Sequence, residues 1–273
     1  MPEPTLYPPP RPLTVGEVLD LSFRIYRRTF VKCLLFGALL VVSRFLPNVY
    51  SITRGQSLAQ SLLRPRLVLI VLATLLTFVF HMIIMLRQYR IISGKETGGE
   101  IPQVLRWLGR VIFIVTLLVL TGAGWALVLS PGALTSGLPR YGVIGLLLLA
   151  TLYVFLRLAC LFAVMVVEDT QTSRSFARSW ELTRGNVLRL AAIDTVAFFL
   201  LLAVYVVVGV LTGFLYVVFV RADVALIAAA VGVMTVAAGA IATPFYSALG
   251  LAIYGDLLVR REGADLSQRI SAA

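Results

Sequence analysis

The sequence predicts an all-α, polytopic membrane protein with six transmembrane helices. Three observations carry that expectation. Hydrophobic residues fill 59% of the 273 positions and charged residues only 14%, whereas a soluble domain is nearer half apolar and a quarter charged. Six apolar segments near 30–50, 67–88, 111–130, 142–167, 187–220 and 224–256 each reach the roughly 20 residues that cross a bilayer. No stretch alternates with the period of two that marks a membrane barrel strand.

The chain opens with "MPEPTLYPPPRP", which is proline-rich and has no apolar core. Residues 1–13 are therefore expected to form a short, extended cytoplasmic tail rather than a cleavable signal peptide. Residues 14–260 form the six-span membrane domain, and 261–273 a C-terminal cytoplasmic tail. The formal net charge of +11 would raise nucleic acid as a partner in a soluble protein. Beside six spans, attraction to an anionic membrane surface explains it instead, and no nucleic-acid partner is expected.

The stretch "GEVLDLSFRIYRRTF" precedes the first span. At 100° per residue Glu17, Asp20, Arg24, Arg27 and Arg28 share an arc of about 100°, and Val18, Leu19, Leu21, Phe23, Ile25, Tyr26 and Phe30 fill the rest. Thr14 stands three residues before Glu17, the spacing of a capping box. Acids in the first turn and arginines in the last match the helix dipole. The pattern predicts a helix lying on the cytoplasmic surface, apolar side down.

The pattern returns twice. "EIPQVLRWLGR" sets Gln103, Arg106 and Arg110 on one side, and "TSRSFARSWELTRGN" sets Arg174, Arg178 and Glu181 opposite Phe176 and Trp180. Each stretch precedes a pair of spans, and their starts are spaced by roughly 80 residues, which suggests a threefold internal repeat of surface helix, outward span and returning span. The basic edges are expected anionic-lipid contacts through Arg24, Arg27, Arg28, Arg106, Arg110, Arg174 and Arg178.

Orientation follows from the basic residues. Of the 24 Lys and Arg, six (Arg44, Arg54, Arg64, Arg66, Arg140 and Arg221) fall on the outer side if both termini are cytoplasmic. Arg157 falls at mid-span, and the other 17 lie on the cytoplasmic side. Both termini are thus expected in the cytoplasm, with the domain in a bacterial inner membrane. Within the spans, Pro244 predicts a kink in the sixth. Glycines 122, 124, 209, 213, 232 and 239 mark candidate close helix contacts.

Two charges inside spans stand out. Arg157 in "YVFLRLACLF" and Asp194 in "RLAAIDTVAFF" lie in spans four and five, where isolated charges demand partners. They are expected to pair across the two spans. That pair would either fix helix register or belong to a polar cavity for a lipid headgroup or solute. Asp256, Arg260 and Arg261 are expected to form local ion pairs, or to dock against the surface helices.

"LTVGEVLDLSFRIYRRTF", "RSFARSWELTRGNVLRL" and "YSALGLAIYGDLLVRREGADL" together resemble the bacterial membrane-domain family named after glycerophosphoryl diester phosphodiesterases. The resemblance implies six spans and a cytoplasmic C-terminal motif, here Arg260, Arg261, Glu262, Gly263, Asp265 and Leu266. Some members are fused to a phosphodiesterase barrel that uses paired histidines and acidic metal ligands. This chain has one histidine, His81, and reads as the membrane domain alone.

No catalytic constellation accompanies the spans: HExxH, GxSxG, P-loop and dinucleotide fingerprints are all missing from the sequence. His81 is expected to be a helix-packing histidine. Cys33 and Cys160 are expected to be small buried hydrophobes. Neither a catalytic residue, a metal nor a cofactor is expected. The function read from the sequence is a non-enzymatic membrane protein that organises or binds lipid or envelope components, or serves as a partner subunit. A protein partner or homo-oligomer is compatible with that reading. The alternative is a permease component for a hydrophobic or lipid-like substrate. Few interior polar residues beyond Arg157, Asp194 and scattered Thr and Ser weigh against a hydrophilic solute.

Overall fold

The computed structural model describes residues 7–53, 64–95, 97–129, 138–218 and 224–272, with side chains described except at 48–66, 127, 138–140, 215–230 and 264–272. These residues form α1 (Val15–Thr53), α2 (Arg64–Ile92), α3 (Glu100–Arg106), α4 (Leu108–Leu129), α5 (Leu138–Arg157), α6 (Leu161–Glu168), α7 (Thr172–Leu182), α8 (Val187–Val218) and α9 (Val224–Ala272), with no strand among them. Among the described residues six stretches are long and apolar enough to cross a membrane. Arg54 and Arg221 lie outside the described residues.

The capping box forms as its spacing predicts: Thr14 N–H donates to Glu17 Oε2 at 2.7 Å, and Glu17 N–H donates to Thr14 Oγ1 at 3.3 Å. The helix it starts differs from the expectation. No separate surface helix precedes the first span, because α1 is continuous for 39 residues. Its apolar side is turned to protein rather than to lipid: Val18, Leu21 and Ile25 are buried, and Phe23 packs at a tilt against Phe245 of α9 with ring centroids 4.8 Å apart. Nothing in "GEVLDLSFRIYRRTF" breaks a helix, and the apolar arc finds a partner in α9. Short helices precede only the second and third pairs of spans, as α3 and α7.

The helices α1, α2 and α9 pack most closely. Gly37 makes this possible: a Cβ there would stand 2.8 Å from the backbone oxygen of Ala240. Pro244 lies four residues later, and its missing N–H deprives that oxygen of its usual helical donor. Gln88, fully buried on α2, joins the three helices by donating to Thr29 Oγ1 at 3.2 Å and to the Pro244 carbonyl at 2.8 Å. By contrast α4, α5 and α8 present Phe113, Leu146, Leu149, Phe198, Phe199 and Val210 outward, as helices solvated by lipid do.

The fourth apolar stretch is not one helix. It breaks at residues 158–160, between α5 and α6. The Arg157 carbonyl is taken by the hydroxyls of Ser179 and Thr183, each at 3.1 Å. Leu161 N–H then turns to the Leu158 carbonyl at 2.9 Å. Insertion of side chains into the backbone ladder is a recognised cause of such breaks.

The N-terminal segment is not a free, extended tail. Tyr7 and Leu13 are buried, the Tyr7 ring meets Tyr89 edge-on at 6.1 Å, and a Cβ on Gly255 would fall 2.8 Å from that ring. Leu13 meets Asp256, Arg189 and Arg260 at what is here the basic end of the bundle. Its N–H donates to Asp256 Oδ1 at 2.7 Å, while Arg189 and Arg260 donate to its carbonyl.

Candidate functional site

A half-open apolar cavity of about 1470 Å3 lies between the helices. Leu40 and Arg44 of α1 and Thr77 and His81 of α2 border one side. Leu117 of α4, Val154 of α5, Leu201 of α8 and Tyr246 of α9 border others. Most of the lining is aliphatic or aromatic, with threonine hydroxyls turned back on their own helices: Thr74 donates to the Ile70 carbonyl at 2.7 Å, Thr121 to Leu117 at 2.8 Å and Thr243 to Gly239 at 2.7 Å. A hydroxyl satisfied within its helix leaves mainly methyl surface for a ligand.

The break in span four and the helix that docks on it close part of this cavity. Leu158, Ala159 and Phe162 line it from the break, and Phe176, Ala177 and Trp180 line it from α7. Ser179 and Thr183, on the same helix, hold the Arg157 carbonyl. The amphipathic pattern of α7 is thus resolved between two surroundings. Its aromatic side meets the cavity. On the opposite side Arg178 pairs with Glu168 at 3.3 Å, Glu262 at 3.3 Å and Glu181 at 3.7 Å.

The structure does not bring Arg157 and Asp194 together. The Arg157 guanidinium lies 4.3 Å from the centroid of the Trp180 ring and donates to Thr183 Oγ1 at 3.3 Å. The helix break is the reason: it turns Arg157 toward α7 rather than across to α8. Asp194 lines the cavity, and its Oδ2 is buried without a hydrogen-bond partner. His81 sits on the same cavity with Nδ1 3.3 Å from Ser247 Oγ of α9, the contact of a helix-packing histidine. Cys33 and Cys160 are both free and buried.

The sequence-predicted lipid contacts divide into two groups. Arg24, Arg27, Arg28, Arg106 and Arg174 are exposed. Arg110 is paired with Asp169 at 3.0 Å, and Arg178 is held among three acids. The C-terminal charges form both kinds of contact expected of them. Asp256 pairs with Arg260 one turn on, at 3.1 Å, and with Arg189 of α8 at 3.0 Å. Arg261 donates to the Glu181 carbonyl of α7 at 3.0 Å.

Sequence reasoning missed Gln88, the contact of Trp180 with Arg157 and the apolar character of the cavity, where a polar cavity is the expectation. Gln88 carried a signal, being a polar side chain within the α2 hydrophobic register. The Trp180 contact and the apolar lining carried none, because both depend on the break at 158–160.

A family model for the membrane domain of glycerophosphoryl diester phosphodiesterase matches residues 134–269. No curated protein and no solved structure matches the chain. The matched region covers α5 to α8 and nearly all of α9, and so takes in the break, α7, Asp194 and Asp256. It contains no phosphodiesterase catalytic domain. Through this half of its length, the chain belongs to the membrane-domain family of glycerophosphoryl diester phosphodiesterases.

Proposed function

We infer that this integral membrane protein binds lipid, with acyl chains housed in the cavity bordered by α1, α2, α4, α5, α7, α8 and α9. The observation that carries the reading is the cavity's size and lining together. Its volume of about 1470 Å3 exceeds the range of about 300–1,000 Å3 typical of sites for drug-sized molecules. Its walls suit methylene chains and offer few hydrogen-bond donors to a sugar, nucleotide or peptide.

No catalytic role is part of this reading. A paired acid and base or an activated nucleophile would be needed to process a lipid, and the cavity's polar groups do not form either arrangement among the described residues. The domain acts by holding lipid, in an inner membrane with both termini cytoplasmic, as the bias of basic residues supports. Exposed Arg24, Arg27, Arg106 and Arg174 at the basic end add attraction to anionic headgroups of about 1 kcal/mol each. A permease for a lipid-like substrate is the second reading. The break at 158–160 favours it, because interrupted helices beside a site recur in transporters.

Native mass spectrometry of protein extracted in mild detergent tests the primary reading. One lipid per chain is expected, and Ala150→Trp, which adds bulk to the cavity wall, should displace it. A random ladder of lipids, unchanged in Ala150→Trp, would remove the basis for an acyl-chain site.

A further inference from the structure

Asp194 is the one acidic residue among the described residues that line the cavity. It makes no hydrogen bond or ion pair there, and its Oδ2 is buried. Arg44 lines the same cavity but makes no ion pair with Asp194 among the described residues, and the other basic groups nearby have partners of their own. Arg157 is committed to Trp180 and Thr183. Arg189, five residues earlier on α8, is committed to Asp256 and the Leu13 carbonyl. His81 is engaged with Ser247. A lone ionisable group within a span is costly to maintain, and such a group marks a functional site by default. Among the described residues no cation pairs with the carboxylate, and a space large enough for an amphiphile adjoins it.

We propose that the cavity selects an amphiphile bearing an ammonium group, which donates to the Asp194 carboxylate while the hydrocarbon lies along the walls toward α4 and α5. This deepens the acyl-chain reading and rests on it. The reasoning is electrostatic complementarity in a site of low dielectric. An ammonium–carboxylate contact is a charge-assisted hydrogen bond, and the aromatic side chains of Tyr246 and Phe162, both on the cavity wall, suit a cation better than an anion. A phosphate or carboxylate placed next to Asp194 would meet like charge. The ammonium can belong to a lipid headgroup or to a simple long-chain amine.

The test uses the full chain in detergent, read by native mass spectrometry and by the shift in melting temperature. Three probes share the same chemistry in part: phosphatidylethanolamine, its N-acetylated form with matched acyl chains, and dodecylamine. Phosphatidylethanolamine is expected to bind one per chain and to raise the melting temperature. N-acetylation, which turns the ammonium into a neutral amide and leaves the headgroup anionic, should weaken binding at least about tenfold, and Asp194→Asn should weaken the parent lipid by a similar factor. Binding of phosphatidylethanolamine assigns a headgroup source, and binding of dodecylamine alone assigns a free hydrophobic amine. Equal retention of the parent and N-acetylated lipids, with dodecylamine causing no shift, overturns the ammonium proposal while leaving the acyl-chain site standing. Absence of any bound amphiphile overturns both. The comparison of the two lipids on the unmodified chain holds even if Asp194→Asn does not fold.

Discussion

The Leu13 N–H donates to the Asp256 carboxylate at 2.7 Å, joining residues 243 positions apart in sequence. The other oxygen of that carboxylate receives Arg189 at 3.0 Å and Arg260 at 3.1 Å. Asp256 is 1% exposed, so its two arginines and the Leu13 amide are what make its charge tolerable. Removing it leaves two cations side by side and a buried amide unbonded. Asp256→Leu should cost about 3–5 kcal/mol. Arg260→Gln should cost clearly less, because Arg189 stays in place. Melting in detergent checks the order, and an Asp256→Leu protein as stable as the parent would refute the node.

Tyr7 extends the same strap, and its phenol is buried without a hydrogen-bond partner. The ring contributes packing against Tyr89 and Gly255, whereas the hydroxyl contributes only desolvation. Tyr7→Phe should therefore be neutral or stabilising by about 1 kcal/mol, and Tyr7→Ala should cost about 3–5 kcal/mol. Burial also raises the Tyr7 pKa well above its ordinary value of 10.0. The unfolded chain then loses a proton near pH 10 that the folded chain keeps. The stability due to the neutral phenol is full below that pH and declines above it. Melting at pH 8 and at pH 10.5 should show Tyr7→Phe gaining on the parent at the higher pH. A constant difference would place the phenol in contact with water.

The six spans were legible because lipid imposes one simple demand, about 20 apolar residues per crossing. The capping box at Thr14 and Glu17 was legible because it is local. What the sequence concealed was set by packing between distant segments. The apolar arc of Val18, Leu21 and Ile25 has the same periodicity whether it faces lipid or α9, and only the fold decides between them. Arg157 and Asp194 match as partners only if span four is continuous. The Ser179 and Thr183 hydroxyls that break it come from a helix more than 20 residues away. The proline-rich start gave no sign that Tyr7 fills a niche at Gly255, because a glycine within a helix does not announce which side chain it admits.

The glycines divide on the same grounds. A Cβ at Gly37 would meet the Ala240 backbone oxygen at 2.8 Å, while a Cβ at Gly122 or Gly209 meets nothing within 4 Å. Backbone cannot step aside as a side chain can. Gly37→Ala should cost about 1–3 kcal/mol by forcing α1 from α9. Gly122→Ala and Gly209→Ala should be neutral, or stabilising by up to about 1 kcal/mol through better helix propensity. Thermal melts of the three variants check this, and a tolerant Gly37 would show that the two helices can separate without loss.

The separate surroundings of Arg157 and Asp194 make a further prediction that distinguishes this structure from a paired one. If each residue acts alone, the effects of Arg157→Leu and Asp194→Leu on stability should add within about 0.5 kcal/mol in a double-mutant cycle. A buried ion pair would instead make the double variant markedly more stable than the sum of the singles. Arg157 and Trp180, in contact at 4.3 Å, should show coupling of about 0.5–2 kcal/mol. Asp194→Asn on its own should be neutral or stabilising in protein stripped of lipid, because it removes an unpartnered intramembrane carboxylate. Strong coupling between Arg157 and Asp194 would mean that the guanidinium leaves Trp180 for the cavity. The lone carboxylate that selects an ammonium ligand would then already have its cation.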